Sequence, residues 1–163
     1  MSQAKASKAR TIGIAAAAAL FVAVIGALMT DVGVWYQGLQ KPPWQPPDML
    51  FGPAWTLIFA LTAMAGALAW WGSETKKDRQ TLLIWFSFNA VLNLLWSLLF
   101  FRLQRPDWAL SEVTLLWVSI VVLMVVCWRR SRVAVMLLLP YLAWVSFASV
   151  LNLEIVRLNG PFA

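Results

Sequence analysis

Eleven tryptophans, one cysteine and no histidine set the chemical repertoire of this chain. An indole offers a broad π-face and one N–H donor, which suits flat aromatic ligands. Without imidazole the commonest metal ligand, general base and haem axial ligand is absent, so a tetrapyrrole bound here is not held by histidine through iron. Cys127 has no cysteine to pair with. It lies beside Trp128 and Arg129, and a single thiol at a helix end reads as structural. The sequence shows no nucleophile–base pair, no metal cluster and no phosphate-cradling glycine loop. Neither a resident cofactor nor a metal is expected.

Spacing says more than composition. Trp85, Asn89, Asn93 and Trp96 stand at i, i+4, i+8 and i+11, one face of a helix. Pro140, Trp144, Ala148 and Asn152 stand at i, i+4, i+8 and i+12, a stripe that drifts but keeps to one side. Amides within apolar stretches should face a bundle interior or a cavity, because lipid does not solvate them. Two readings remain open: hydrogen bonds that hold helices together, or contacts to a ligand. Tryptophans on the same faces favour a cavity.

The elements that position these residues are plain in the hydropathy. Of 163 residues 61% are hydrophobic and 12% charged, far from the roughly 25% charge of soluble domains. Five apolar stretches, 11–30, 50–72, 81–101, 108–128 and 133–156, are each long enough to cross a hydrocarbon core of about 30 Å. Backbone polar groups cannot be left unpaired in lipid, so each should be helical. Short links at 73–80, 102–107 and 129–132 make antiparallel neighbours. The fold class is therefore an all-α membrane protein, a bundle of five transmembrane helices. Its parts are a basic segment 1–10, the spanning domain 11–156 and a short tail 157–163.

Net charge is +6, but the cations cluster at span ends and form no stripe, which argues against nucleic acid and for membrane orientation. One side receives Lys5, Lys8, Arg10, Lys76, Lys77, Arg79, Arg129, Arg130 and Arg132; the other receives Lys41, Arg102, Arg105 and Arg157. The N-terminus is thus expected in the cytoplasm, with the C-terminus and the 31–49 loop outside. The basic, alanine-rich start also resembles a signal peptide. Its apolar run exceeds the usual h-region of about 7–15 residues and no A-x-A site follows, so a retained helix is expected. Asp31, Glu112 and Glu154 lie near predicted span ends and no inverted repeat is seen, which disfavours ion-coupled transport. Trp70, Trp71, Trp108 and Trp128 lie near span ends as an interfacial belt.

The long connection 31–49 carries Trp35, Tyr36, Trp44 and four prolines, Pro42, Pro43, Pro46 and Pro47. Proline at this density cannot continue a helix, and the length and aromatic content suit a lid over a cavity. The run from Trp35 to Pro47, with its K-P-x-W-x-P-P core, resembles the tryptophan-rich sensory protein family, also called the translocator or peripheral benzodiazepine receptor family. Phe51-Gly52-Pro53-Ala54-Trp55-Thr56 is similar to the start of that family's second helix. Asn93 with Trp96, then Pro140-Tyr141-Leu142-Ala143-Trp144 and Leu151-Asn152, are similar to its later motifs, in order.

The resemblance implies a five-helix bundle, a homodimer, and binding of porphyrins, sterols or benzodiazepine-type ligands. Roles it implies include transport, stress sensing and light-dependent porphyrin breakdown. On this basis the candidate ligand-binding residues are Trp44, Trp55, Phe59, Asn89, Asn93, Trp96, Trp144, Ala148 and Leu151. Phe59 stands where the family commonly has tyrosine, Asn89 where glutamine is usual, and Ala148 where animal members carry a ligand-sensitive alanine or threonine. Leu153 replaces the tyrosine of a proposed sterol motif, which argues against sterols by that route. A dicarboxylic tetrapyrrole needs a cation at the cavity mouth; Lys41 is the first candidate, with Arg102 and Arg157 behind it. The expected function is a membrane receptor or sensor for porphyrin-type tetrapyrroles that regulates their handling or a stress response. Light-driven porphyrin breakdown carried by Trp55 and Trp144, or porphyrin or sterol transport, is the alternative.

Overall fold

The computed structural model describes residues 2–162, with side chains from Ala6 onward. Lys5, one of the flanking cations, lies outside the described side chains. The described residues form six α-helices: α1 (Ser2–Met29), α2 (Val34–Gly38), α3 (Phe51–Trp71), α4 (Lys76–Ser97), α5 (Pro106–Trp128) and α6 (Arg132–Asn159). All but α2 are long and apolar enough to span a membrane. Their exposed faces carry residues such as Phe21, Leu57, Ile84, Val125 and Met136, which lipid solvates as readily as a core would.

Local chemistry sets the ends. Thr75 caps α4, accepting from the Asp78 N–H at 3.0 Å while the Asp78 carboxylate accepts from the Thr75 N–H at 3.2 Å. Ser131 caps α6 by accepting from the Ala134 N–H at 3.2 Å. Pro106 opens α5 at a position where its missing N–H costs nothing. α1 starts nine residues before the apolar run at 11, because nothing in the basic segment breaks a helix. α4 ends differently from expectation: a π-turn, Leu98–Arg102, follows Ser97, with the Leu103 N–H donating to Leu98 at 2.9 Å.

Around the bundle α1 packs on α3 and, less closely, on α4; α3 packs on α6, α6 on α5, and α5 back on α4. Three apolar layers stack along its length. One contains Ala65, Leu82, Leu123 and Leu138; the middle one Ile58, Leu92, Ile120 and Val145; the third Tyr36, Phe100, Ala109 and Ile155. None of the buried residues in these layers comes from α1, and no described side chain of α1 is buried.

At the N-terminal end the two short links touch. A Cβ on Gly72 would collide with the Arg130 carbonyl, so only glycine fits there. Arg130 pairs with Asp78 and also donates to the Val126 carbonyl, tying both links together. All four belt tryptophans have a cation over the ring: Arg79 on Trp70, Lys8 on Trp71, Arg105 on Trp108 and Arg132 on Trp128, at 4.2–5.4 Å.

Candidate ligand-binding cavity

Because α1 leaves the interior incompletely filled, two cavities lie along it. The one beneath the 31–49 loop has a volume of about 510 Å³. Seven sequence candidates meet in its wall: Trp55 and Phe59 from α3, Asn93 and Trp96 from α4, and Trp144, Ala148 and Leu151 from α6. The rings brace one another. Trp55 stacks on Phe59 at 5.4 Å and meets Tyr141 edge-on at 6.1 Å, while Trp144 meets Phe51 edge-on at 5.7 Å. Such pairs add about 0.5–1.5 kcal/mol each and hold the rings in place before any ligand arrives.

Three candidates fall elsewhere. Asn89 sits deeper and lines the second cavity. Its amide donates to Ser119 Oγ at 2.8 Å and accepts from Tyr141 Oη at 3.2 Å, while Asn93 donates to the same Tyr141 oxygen at 3.3 Å. This network crosses three helices, so Asn89 acts as interhelical glue. Trp44 lies outside the wall, edge-on to Phe147 at 5.8 Å and partly exposed. Lys41 does not line the cavity either: its ammonium lies 3.4 Å from Asp48 and 3.8 Å above the Tyr36 ring. The other two cations are engaged too. Arg102 donates to the Leu28 carbonyl at the end of α1, and Arg157 pairs with Glu154 at 2.8 Å.

The loop is anchored from within and from afar. Tyr36, buried in α2, donates to Asp48 at 3.0 Å, and Gln45 donates to both at 3.2 and 3.1 Å. Burial first, and then the Asp48 charge, hold the Tyr36 phenol well above its ordinary pKa, so it remains a donor. Asn159 clasps the Gln40 backbone on both sides, accepting from its N–H at 2.7 Å and donating to its carbonyl at 2.9 Å. Two backbone groups of the loop are thereby satisfied by the last residue of α6. The prolines supply stiffness and Asn159 fixes position.

Several wall residues escaped the sequence reading. The π-turn brings Phe100 and Phe101 into the cavity, with Phe100 stacked on Trp96 at 5.0 Å. A regular helical count past Ser97 would misplace both rings. Gln45 and Asp48 also line the space, as does Asn152, which the stripe of Trp144 and Ala148 already placed on this face. Three polar atoms in this wall, Gln45 Oε1, Trp96 Nε1 and Asn152 Oδ1, are buried and make no hydrogen bond among the described residues. Buried polar atoms are seldom left unpaired, but these three have no accessible surface in the chamber and reach an occupant only if their side chains turn. Glu112, one face of α5 inward, is also buried with both oxygens unpartnered, but it lines neither cavity. No group of metal-ligating side chains occurs among the described residues.

The geometry is therefore an apolar, aromatic-walled chamber of ligand size beneath a braced loop, on a five-span bundle. Comparison with known proteins agrees with this architecture. The model of the TspO/MBR family matches residues 14–158. The tryptophan-rich protein TspO of Chlorobaculum tepidum is 44% identical over 128 residues, covering 77% of this chain and 79% of that one. The translocator protein of Homo sapiens is 34% identical, covering 77% and 75%. The tryptophan-rich sensory protein of Cereibacter sphaeroides is 31% identical, covering 85% and 89%. Matched over most of its length and at these identities, the chain is an integral membrane protein that belongs to the TspO/MBR family.

Proposed function

We propose that this protein is a membrane receptor or sensor that binds porphyrin-type tetrapyrroles in the cavity beneath the 31–49 loop. The observation that carries the reading is the wall itself: three indoles and four phenylalanines around about 510 Å³. Flat π-faces suit a flat macrocycle, and the few polar atoms suit its ring nitrogens and edge substituents. No cation among the described residues lines the chamber, so propionates point out past the loop, where Lys41 can exchange Asp48 for a ligand carboxylate. The word "sensory" in one relative's name supports the sensor reading, and "translocator" in another's keeps passage of the same ligand in view. In this reading the N-terminus is cytoplasmic, the loop lies outside, and the working unit is a homodimer.

A second reading draws on one specific feature. Trp55 and Trp144 both line the chamber and could donate electrons to a photoexcited porphyrin, which makes light-driven breakdown a testable activity.

The test is a protoporphyrin titration of the detergent-purified protein, in the dark and under light, with Trp55→Phe and Trp144→Phe in parallel. Saturable dark binding, weakened about threefold to tenfold by either substitution, is expected from losing one braced indole. Equal, unsaturable uptake by all three proteins would overturn the proposal. Light-dependent loss of the porphyrin band that the variants lack would move the reading from receptor to enzyme.

A further inference from the structure

The second cavity, of about 660 Å³, lies between α1, α3 and α4, and the two residues common to both cavity walls are Phe59 and Asn93. Asn93 is 6% exposed and makes one side-chain hydrogen bond, from Nδ2 to Tyr141. Its amide oxygen accepts from no described residue. Unlike the oxygens of Gln45 and Asn152, it is not sealed off by its neighbours either, so it keeps open surface where the two cavities meet.

Which end of this amide faces the opening is decided on another helix. The Leu116 carbonyl on α5 can only accept, so the Ser119 hydroxyl donates to it at 2.7 Å. The Ser119 oxygen then accepts from Asn89 Nδ2 at 2.8 Å, which turns Asn89 Oδ1 to accept from Tyr141 at 3.2 Å. With its proton engaged there, the Tyr141 oxygen accepts from Asn93 Nδ2 at 3.3 Å. Every link runs one way, from Asn93 to a backbone carbonyl. Turning either amide over would set acceptor against acceptor inside the bundle. The oxygen of Asn93 is the end left over, so the wall presents a fixed, neutral acceptor.

We infer that Asn93 Oδ1 selects within the tetrapyrrole class, favouring an open-chain tetrapyrrole that donates a terminal lactam N–H over a closed macrocycle. This inference rests on the tetrapyrrole reading of the chamber. In a closed macrocycle the pyrrole N–H groups turn toward the ring centre, where a side-chain acceptor meets them poorly, and a bound metal removes them. Opening the ring leaves a lactam at each end, with a peptide-like N–H on the molecule's edge. Donor and acceptor are both neutral, so their pairing needs no counter-charge in a wall where no described cation stands. Tyr141 is a positioning residue that holds the Asn93 amide the right way round.

The test is dark titration of the purified full chain and of Asn93→Leu with biliverdin, its lactim ethers, which lack the lactam N–H, and protoporphyrin. The unsubstituted protein should bind biliverdin about threefold to tenfold more tightly than the lactim ethers, the yield of one net hydrogen bond. Asn93→Leu should abolish that difference by weakening biliverdin alone. Protoporphyrin binding should change by less than about twofold in this variant and so report an intact chamber. Tyr141→Phe, which lets the Asn93 amide turn, should shrink the difference while biliverdin still binds. Equal affinity for biliverdin and lactim ether in the unsubstituted protein would overturn the inference, and that result depends on no variant folding. Equal weakening of all three ligands in Asn93→Leu would overturn it too, by showing that Asn93 only packs the wall. Saturable protoporphyrin binding beside either result leaves the chamber standing, whereas unsaturable uptake of all three ligands removes the chamber and the inference together.

Discussion

The side of the bundle built by α4, α5 and α6 and the side closed by α1 are both made of helices apolar enough to span a membrane but are used differently. On the first, Leu123, Leu138 and Ile120 are fully buried, and the amides of Asn89 and Asn93 converge on one tyrosine hydroxyl. On the second, no described side chain of α1 is buried, and both cavities lie against its alanines. The difference teaches where to look for a ligand. Buried amide pairs such as Asn89 with Ser119 lie on the packed side, whereas Thr62, Gln45 and Trp96, each with an unpaired buried polar atom, line the spaces beside α1; Glu112 on α5 is the exception. Close packing is concentrated in one half, and open volume lies beside the other.

That contrast can be broken most directly by cutting the packed side. Leu138→Ala should cost about 2–5 kcal/mol, read as a large loss of thermal stability in detergent, because its cavity cannot collapse among closely packed helices. Tyr141→Phe removes the hydroxyl that donates to Asn89 and accepts from Asn93, leaving two buried amides short of a partner. A loss of about 1–3 kcal/mol is expected by the same measurement. An unchanged melting temperature would mean that the network is incidental.

Next in size is the loop. Asn159→Ala should cost about 1 kcal/mol per lost hydrogen bond to Gln40, visible as faster amide exchange across 35–48, with the bundle itself unaffected. Glu112→Gln probes a polar group in the packed half that has no partner. Removing the capacity for charge should leave stability equal or slightly higher, whereas a paired carboxylate would respond with a loss. Smallest of all, Phe21→Ala on the lipid-facing surface of α1 should lie within about 0.5 kcal/mol of the parent. A loss there as large as that at Leu138 would abolish the distinction between the two sides.

Spans and links were legible without coordinates because they depend on local properties: an apolar length matched to a bilayer, and proline where no helix can run. The stripes on the third and fifth spans were legible for the same reason, since helical periodicity places Asn93, Trp96, Trp144 and Ala148 on inward faces. Periodicity could not separate Asn89 from Asn93, one turn apart on one face. Their roles depend on Ser119 and Tyr141, which other helices bring to them. Nor could it foresee that Lys41 is committed to Asp48, or that a π-turn rotates Phe100 and Phe101 into the chamber.

The sequence by itself determined that this chain is a five-helix membrane protein with an aromatic, amide-bearing interior, because the bilayer enforces that outcome span by span. Only the tertiary structure decided which of those polar atoms are already paired and which of their residues line an open cavity. Pairing is a property of residues far apart in the chain, as with Asn159 and Gln40, 119 positions from each other, and no local pattern carries it.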